Sequence, residues 1–298
     1  MSPRDVSIAI LVMLVWGLNF AAIKIGVEGF PPLFLTGLRF LFTALPMVFF
    51  LGRPAAPWRF IVAFGLLLGV VKFGLVFSAV KLGMPTGLVS LLMQLQVFFT
   101  MFLAILLLGE KARPYPVLGA LLAFGGISVF IVERLQSAVP LLPLAMVIAA
   151  SLTWGLANIV IKKAGRVDVL AFLVWSSLFS PLPLFALSWG IEGSEAILAS
   201  LVAPRLESVL ALVFIVGPST LFAFAAWNRL LTRYPTQVAA PFALLVPVFG
   251  IFSGVLLLGE PFTRMAFYGS GIVFLGLVIN VFGERLFARA ARPKTEMP

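Results

Sequence analysis

The chain contains no cysteine and no histidine, and its 298 residues include only 11 Asp and Glu. Without cysteine there can be no disulfide, thiolate nucleophile or thiolate-bound metal. Without histidine the commonest metal ligand and proton relay are missing too. No metal site and no cofactor is therefore implied. A membrane enzyme would have to work with a serine and a lysine. Ser78 and Lys72 are six residues apart, about 240° around a helix, and lie on different faces, so the sequence does not read as an enzyme.

Charge is scarce in general: 11% of residues are charged, against roughly a quarter in soluble proteins. With 62% hydrophobic residues, a water-soluble domain of this size could not hide its apolar surface. The sequence predicts an all-α polytopic membrane protein whose immediate partner is the lipid bilayer. A net charge of +10 could suggest nucleic acid. The basic residues, however, fall between apolar stretches, where they orient a membrane protein. The first apolar stretch, 6–27, has no small-residue cleavage site after it and is expected to remain in the mature chain.

At about 20 apolar residues per span, ten spans are expected: 6–27, 33–51, 58–80, 86–108, 115–132, 140–161, 169–189, 208–231, 237–258 and 265–282. Pro, Gly or charge marks most connectors, and only 190–207 is long enough for a substantial extramembrane loop. Of the 21 Lys and Arg, fourteen fall on the N-terminal side of the membrane and five on the other. The positive-inside rule then places both termini in the cytoplasm.

The strongest sequence feature is a repeat. Residues 84–111 (MPTGLVSLLMQLQVFFTMFLAILLLGEK) return as 234–261 (YPTQVAAPFALLVPVFGIFSGVLLLGEP), at an offset of 150. The offset holds at Pro85/Pro235, Gly109/Gly259, Glu110/Glu260, Gly119/Gly269 and Gly126/Gly276. In addition, residues 16–24 (WGLNFAAIK) are echoed by 154–162 (WGLANIVIK). Five spans per copy is an odd number, so the second copy must enter the membrane inverted. The expected organisation is a first five-helix repeat over 1–138, an inverted five-helix repeat over 139–284 and a basic cytoplasmic tail over 285–298. Inverted repeats mark alternating-access transporters, with the substrate site at the repeat interface.

Several motifs resemble the EamA family of the drug/metabolite transporter superfamily: WGLNF at 16–20, PPLFLTGLRF at 31–40, GMPTGLVSLLMQLQVFFT at 83–100, LLVPVFG at 244–250 and the two LLLGE endings. The chain looks most like the bacterial exporters of O-acetylserine and cysteine. The resemblance implies a multi-pass protein of the bacterial inner membrane that exports small amino acids or related metabolites. Relatives on the same frame export aromatic amino acids, threonine or methionine. A reading from a different class, a scaffold or lipid-binding protein, would give no saturable flux.

Polar residues within apolar spans mark the candidate pathway. Trp16 with Asn19 and Trp154 with Asn158 occupy the equivalent first and sixth spans. Lys72 shares a helical face with Gly65 and Gly69, a GxxxG pair that implies close helix approach. It could hold a substrate carboxylate, pair with a backbone terminus or lose its proton under burial. In the fourth span, Ser90 and Gln94 lie on one face and Gln96 and Thr100 on another. One pair is expected to line the pathway and the other to bond a neighbouring helix. Thr220 follows Pro218, whose ring frees a helix carbonyl, and Trp227 lies near the end of the same span. Arg39, placed near the start of its helix, is read either as an anion contact or as a clamp on a neighbouring helix. Lys24, Lys162 and Lys163 are expected to snorkel to the interface. Glu110 and Glu260 are expected to meet water and nearby backbone. Trp58 and Trp189 read as interfacial belt residues. No acid lies mid-span, which argues against a lipophilic-cation substrate.

Overall fold

A computed structural model describes residues 1–111, 114–136, 141–234 and 236–290. Arg113, Pro235, the 138/139 repeat boundary and the tail beyond Ala290 lie outside them. All regular structure among the described residues is helical. In chain order the helices are α1 (Pro3–Gly29), α2 (Pro32–Met47), α3 (Trp58–Lys81), α4 (Thr86–Leu108), α5 (Pro114–Gln136) and α6 (Leu142–Ala164). They continue with α7 (Val169–Ser177), α8 (Pro181–Ile191), α9 (Ser194–Val202), α10 (Leu206–Arg233), α11 (Leu245–Leu258) and α12 (Arg264–Ala290). A short turn at Thr236–Ala239 and a 3-10 segment at Ala240–Leu244 lead into α11.

Among the described residues six of these helices are long and apolar enough to cross a membrane, and the α7–α8 pair, bent by 42°, counts as a seventh if the two form one span. Shorter apolar helices cover Pro32–Met47, Pro114–Val129 and Phe242–Leu258. The expected loop at 190–207 carries α9, and the last helix continues past Gly283 to Ala290.

Local chemistry sets the helix ends. Ser2 caps α1 by accepting the Asp5 N–H, and Asp168 caps α7 by accepting that of Ala171. Gly109 and Gly259 end α4 and α11 with φ of 68° and 64°, a left-handed geometry that glycine adopts without a Cβ clash. After each, the glutamate N–H reaches back six residues, Glu110 to Ala104 O and Glu260 to Gly254 O. Two interior stretches wind as π-helix, Gly65–Phe73 in α3 and Ile215–Phe222 in α10. Their first residues are 150 apart, so the widened turns recur with the repeat.

Helix pairing follows the same correspondence. α1 packs on α11 and α10, while α6 packs on α4 and α3; α4 meets α11, α2 meets α8 and α5 meets α12. Exchanging α1 for α6, α3 for α10 and α4 for α11 maps this set onto itself. The glycines show it in detail. A Cβ on Gly17 would meet Phe249 and Gly250, and one on Gly155 would meet the equivalent pair, Phe99 and Thr100. A Cβ on Gly119 would sit 2.5 Å from Gly276 O, and one on Gly126 would sit 2.8 Å from Gly269 O. Such backbone-level approach is how membrane helices gain packing without hydrophobic expulsion from water.

Candidate functional site

Where α2, α3, α6 and α10 converge, buried polar groups form a continuous chain of contacts. Arg39 lies midway along α2, not near its start as the sequence suggests, and is 2% exposed. Its Nη2 donates to Thr220 Oγ1 at 3.1 Å. Its guanidinium carbon stands 3.8 Å from the centroid of the Phe73 ring. Lys72 is 5% exposed, and its ammonium sits 3.2 Å from that same centroid and 4.3 Å from the Trp154 ring. The two cations therefore lie no farther apart than the sum of their distances to the Phe73 ring. Aromatic faces attract cations, more strongly where water is excluded. The salt bridges among the described residues, Lys162–Glu110 and Arg233–Asp5, involve neither Arg39 nor Lys72.

The π segments shape this region. In α3, a Cβ on Gly65 would meet Ser176 O at 2.2 Å and one on Gly69 would meet Ser180 Oγ at 2.0 Å. Ser180 Oγ also donates to Gly65 O at 2.9 Å. The expected close approach at the GxxxG pair is thus made against the α7–α8 break. In α10, Thr220 Oγ1 donates to Ile215 O at 2.7 Å, so the threonine hydroxyl itself takes up a carbonyl of the widened turn. Its remaining acceptor capacity goes to Arg39.

Trp16 extends the chain from the other side. Its Nε1 donates to Ser219 O at 3.1 Å, next to Thr220. Its ring meets Phe224 and Trp227 edge-on, at centroid distances of 5.3 and 5.9 Å. Asn19, 6% exposed, leaves its Oδ1 buried without a hydrogen-bond partner among the described residues.

A second polar group joins α4 to α6. Asn158 Nδ2 donates to Gln96 Oε1 at 2.7 Å and to Thr100 Oγ1 at 3.0 Å. Of the two faces on the fourth span, Gln96 with Thr100 is the one that bonds a neighbouring helix. Asn158 completes that bond, one turn from Trp154. Gln94 is half-buried in a 3-10 turn, Met93–Leu95, within α4. Ser90 is placed elsewhere: it is fully buried at the α4–α11 crossing and donates to Gly87 O at 2.6 Å. A Cβ on Gly250 would stand 2.1 Å from its hydroxyl.

The repeat-related glutamates have unlike partners. Glu260 accepts Thr86 N–H at 2.9 Å, Thr86 Oγ1–H at 3.0 Å and Gly87 N–H at 3.3 Å, capping α4 from across the fold. Glu110 instead pairs with Lys162, both about half exposed. A third carboxylate, Glu192, was not singled out from the sequence; it accepts the Leu33 and Phe34 N–H groups and caps α2. Trp58 and Trp189 are exposed, as belt residues would be. A cavity of about 450 Å³ between α4, α11 and α12 is lined by apolar side chains such as Leu91, Phe252 and Phe274. With Ser270 as its polar residue, it suits a lipid chain better than a polar solute.

A pseudo-symmetric bundle of apolar helices with buried polar residues between its two sets of equivalents is the architecture of a membrane carrier. The chain matches the EamA-like transporter family over residues 5–132 and again over 141–282, and it belongs to that family. It is a multi-pass membrane protein of a transporter family rather than an enzyme. It is 39% identical over 290 residues to an Escherichia coli (strain K12) protein named "Probable amino-acid metabolite efflux pump", covering 96% of this chain and 97% of that one. A Salmonella typhimurium protein of the same name is 39% identical over 297 residues, covering 98% and 99%. One crystal structure, 20% identical and covering 99% of this chain and 100% of the other, superposes with a TM-score of 0.62 and shares the fold.

Proposed function

We propose that this chain exports small amino acids or related metabolites, of the cysteine and O-acetylserine type, across the bacterial inner membrane by alternating access. The observation that carries the substrate class is the 39% identity, over nearly the whole of both chains, to proteins named as amino-acid metabolite efflux pumps. The seven membrane-length elements and three shorter apolar helices are read as ten spans, with both termini cytoplasmic. Residues 1–138 and 139–284 are the two inverted halves, and 285–298 is the cytoplasmic tail. Recurrence of π turns, glycine contacts and left-handed caps at equivalent positions supports that division.

The pathway runs between the halves, past Trp16, Asn19, Lys72, Trp154, Thr220 and Trp227. Gln94, Gln96 and Asn158 border it, and Ser90 guards the α4–α11 crossing that must loosen on one face when the other closes. Indole faces and amide groups suit a small zwitterion, the indoles attracting an ammonium. The test is efflux and counterflow in proteoliposomes with cysteine, O-acetylserine, threonine, methionine and the aromatic amino acids. Saturable flux of one or a few, reduced in Gln94→Leu and retained in Glu110→Gln, is expected. Flux confined to organic cations or sugars would overturn the reading.

A further inference from the structure

The interior carries two cationic side chains and, among the described residues, no salt bridge to either. Arg39 is the sharper case. A guanidinium has five N–H donors, and its Nε and Nη1 are buried without a hydrogen-bond partner among the described residues. Burying polar groups in this way is unfavourable unless a partner arrives. Lys72 is held against the Phe73 and Trp154 rings, which attract its charge but accept no conventional hydrogen bond. Both cations lie against the Phe73 ring, which bounds their separation by the sum of those two distances. The two π turns each deliver a member, Lys72 from α3 and Thr220 from α10, and such turns concentrate at functional sites.

We infer that Arg39 and Lys72 together form an anion-binding site that seats the cargo's acidic group, and that cargo with net negative charge is bound in preference to a zwitterion. This rests on the transport reading above and revises its substrate class, from the zwitterion that indoles and amides suit to an acidic derivative of it. A zwitterion brings a carboxylate and an ammonium and leaves the two protein cations unneutralised. A solute with a blocked amine compensates one of them, as does one with a second carboxylate. The preferred cargo is thus an amino-acid derivative that is acidic overall, such as an N-acylated amino acid or an amino dicarboxylate. The ammonium, where present, is left to the aromatic faces and to the unpartnered Oδ1 of Asn19.

The test uses matched solutes: aspartate against its near-isostere asparagine, and N-acetylserine against serine. Each is titrated against the purified full chain in detergent, with thermal stabilisation as the binding readout. The expected result is that the acidic member of each pair binds at least tenfold more tightly. That preference is abolished in Lys72→Met and kept in Lys72→Arg. Equal or tighter binding of asparagine and serine overturns the proposal, as does no stabilisation by any of the four. A Lys72→Met protein that melts lower yet keeps the acidic preference also overturns it, leaving the pair as a structural tie. The wild-type comparison needs no variant, so misfolding of Lys72→Met cannot hide the answer. Counterflow of the amino-acid panel, measured separately, reports whether the transport reading itself holds.

Discussion

The α5–α12 crossing gives the most constrained prediction about the repeat. A Cβ on Gly119 would stand 2.5 Å from Gly276 O, and a Cβ on Gly276 would stand 2.4 Å from Gly119 O. Carbon atoms pack at about 3.5–4.0 Å, so either alanine must push the helices apart by roughly 1 Å, a misfit costing about 1–3 kcal/mol. Both substitutions break the same backbone approach. Once one has separated the helices, the other adds little, and the double variant should fall short of additivity by about 1–2 kcal/mol. Gly125 supplies the control: nothing lies within 4 Å of its Cβ position. Gly125→Ala should therefore be neutral or stabilising by about 0.5–1 kcal/mol through helix propensity. Equilibrium unfolding in mixed micelles measures all four proteins. Full additivity of Gly119→Ala and Gly276→Ala would refute the reasoning, as would a Gly125→Ala variant as unstable as either.

Glu260→Gln removes a charge and one acceptor from three bonds at the start of α4. A loss of about 1–3 kcal/mol is expected from the same unfolding measurement. Glu110→Gln breaks a half-exposed pair and should change stability by about 0–1 kcal/mol. A double-mutant cycle on Gln96→Leu and Asn158→Leu should show coupling of about 0.5–1.5 kcal/mol, since each amide is the other's partner at 2.7 Å. Gly69→Ala should destabilise by about 1–3 kcal/mol. Little of that loss should return in the Gly69→Ala/Ser180→Ala protein: the opposing hydroxyl 2.0 Å away is gone, but Ser180 Cβ remains 2.6 Å from the new methyl and the bond to Gly65 O is lost.

Helix ends were legible because they rest on local chemistry. The expected span 86–108 coincides with Thr86–Leu108, and 58–80 falls one residue short of Trp58–Lys81. The repeat offset was legible too, and with it the equivalence of Gly109 and Gly259. The π turns were not. GLLLGVVKF carries no propensity separating i+5 from i+4 bonding, and Pro218 in IVGPSTLF signals a freed carbonyl but not the π turn around it; at Gly65 and Gly69 the packing lies against Ser176 and Ser180, more than a hundred residues away. The break between α7 and α8 was likewise read as one continuous span, 169–189. Partnerships across the halves had no local signal: Arg39 with Thr220, Glu260 with Thr86, and Trp16 with Ser219 are each more than 170 residues apart. Single-span reasoning could identify Arg39 and Lys72 as buried cations, but not that one phenylalanine ring lies beside both.

The central claim is that the two halves open in turn around a cargo held between them. Since the chain has no cysteine, single cysteines can be introduced without any background to remove. Ser253 lies at the α1–α11 crossing, where its hydroxyl faces Gly17 O, and Thr100 at the equivalent α4–α6 crossing. The measurement is the rate at which a membrane-permeant thiol reagent modifies Ser253→Cys and Thr100→Cys in proteoliposomes, with and without a saturating amino acid identified by counterflow. The account expects cargo to raise one rate and lower the other, as one crossing loosens and the other tightens. Rates that rise together, or that ignore a solute the protein demonstrably moves, would contradict it.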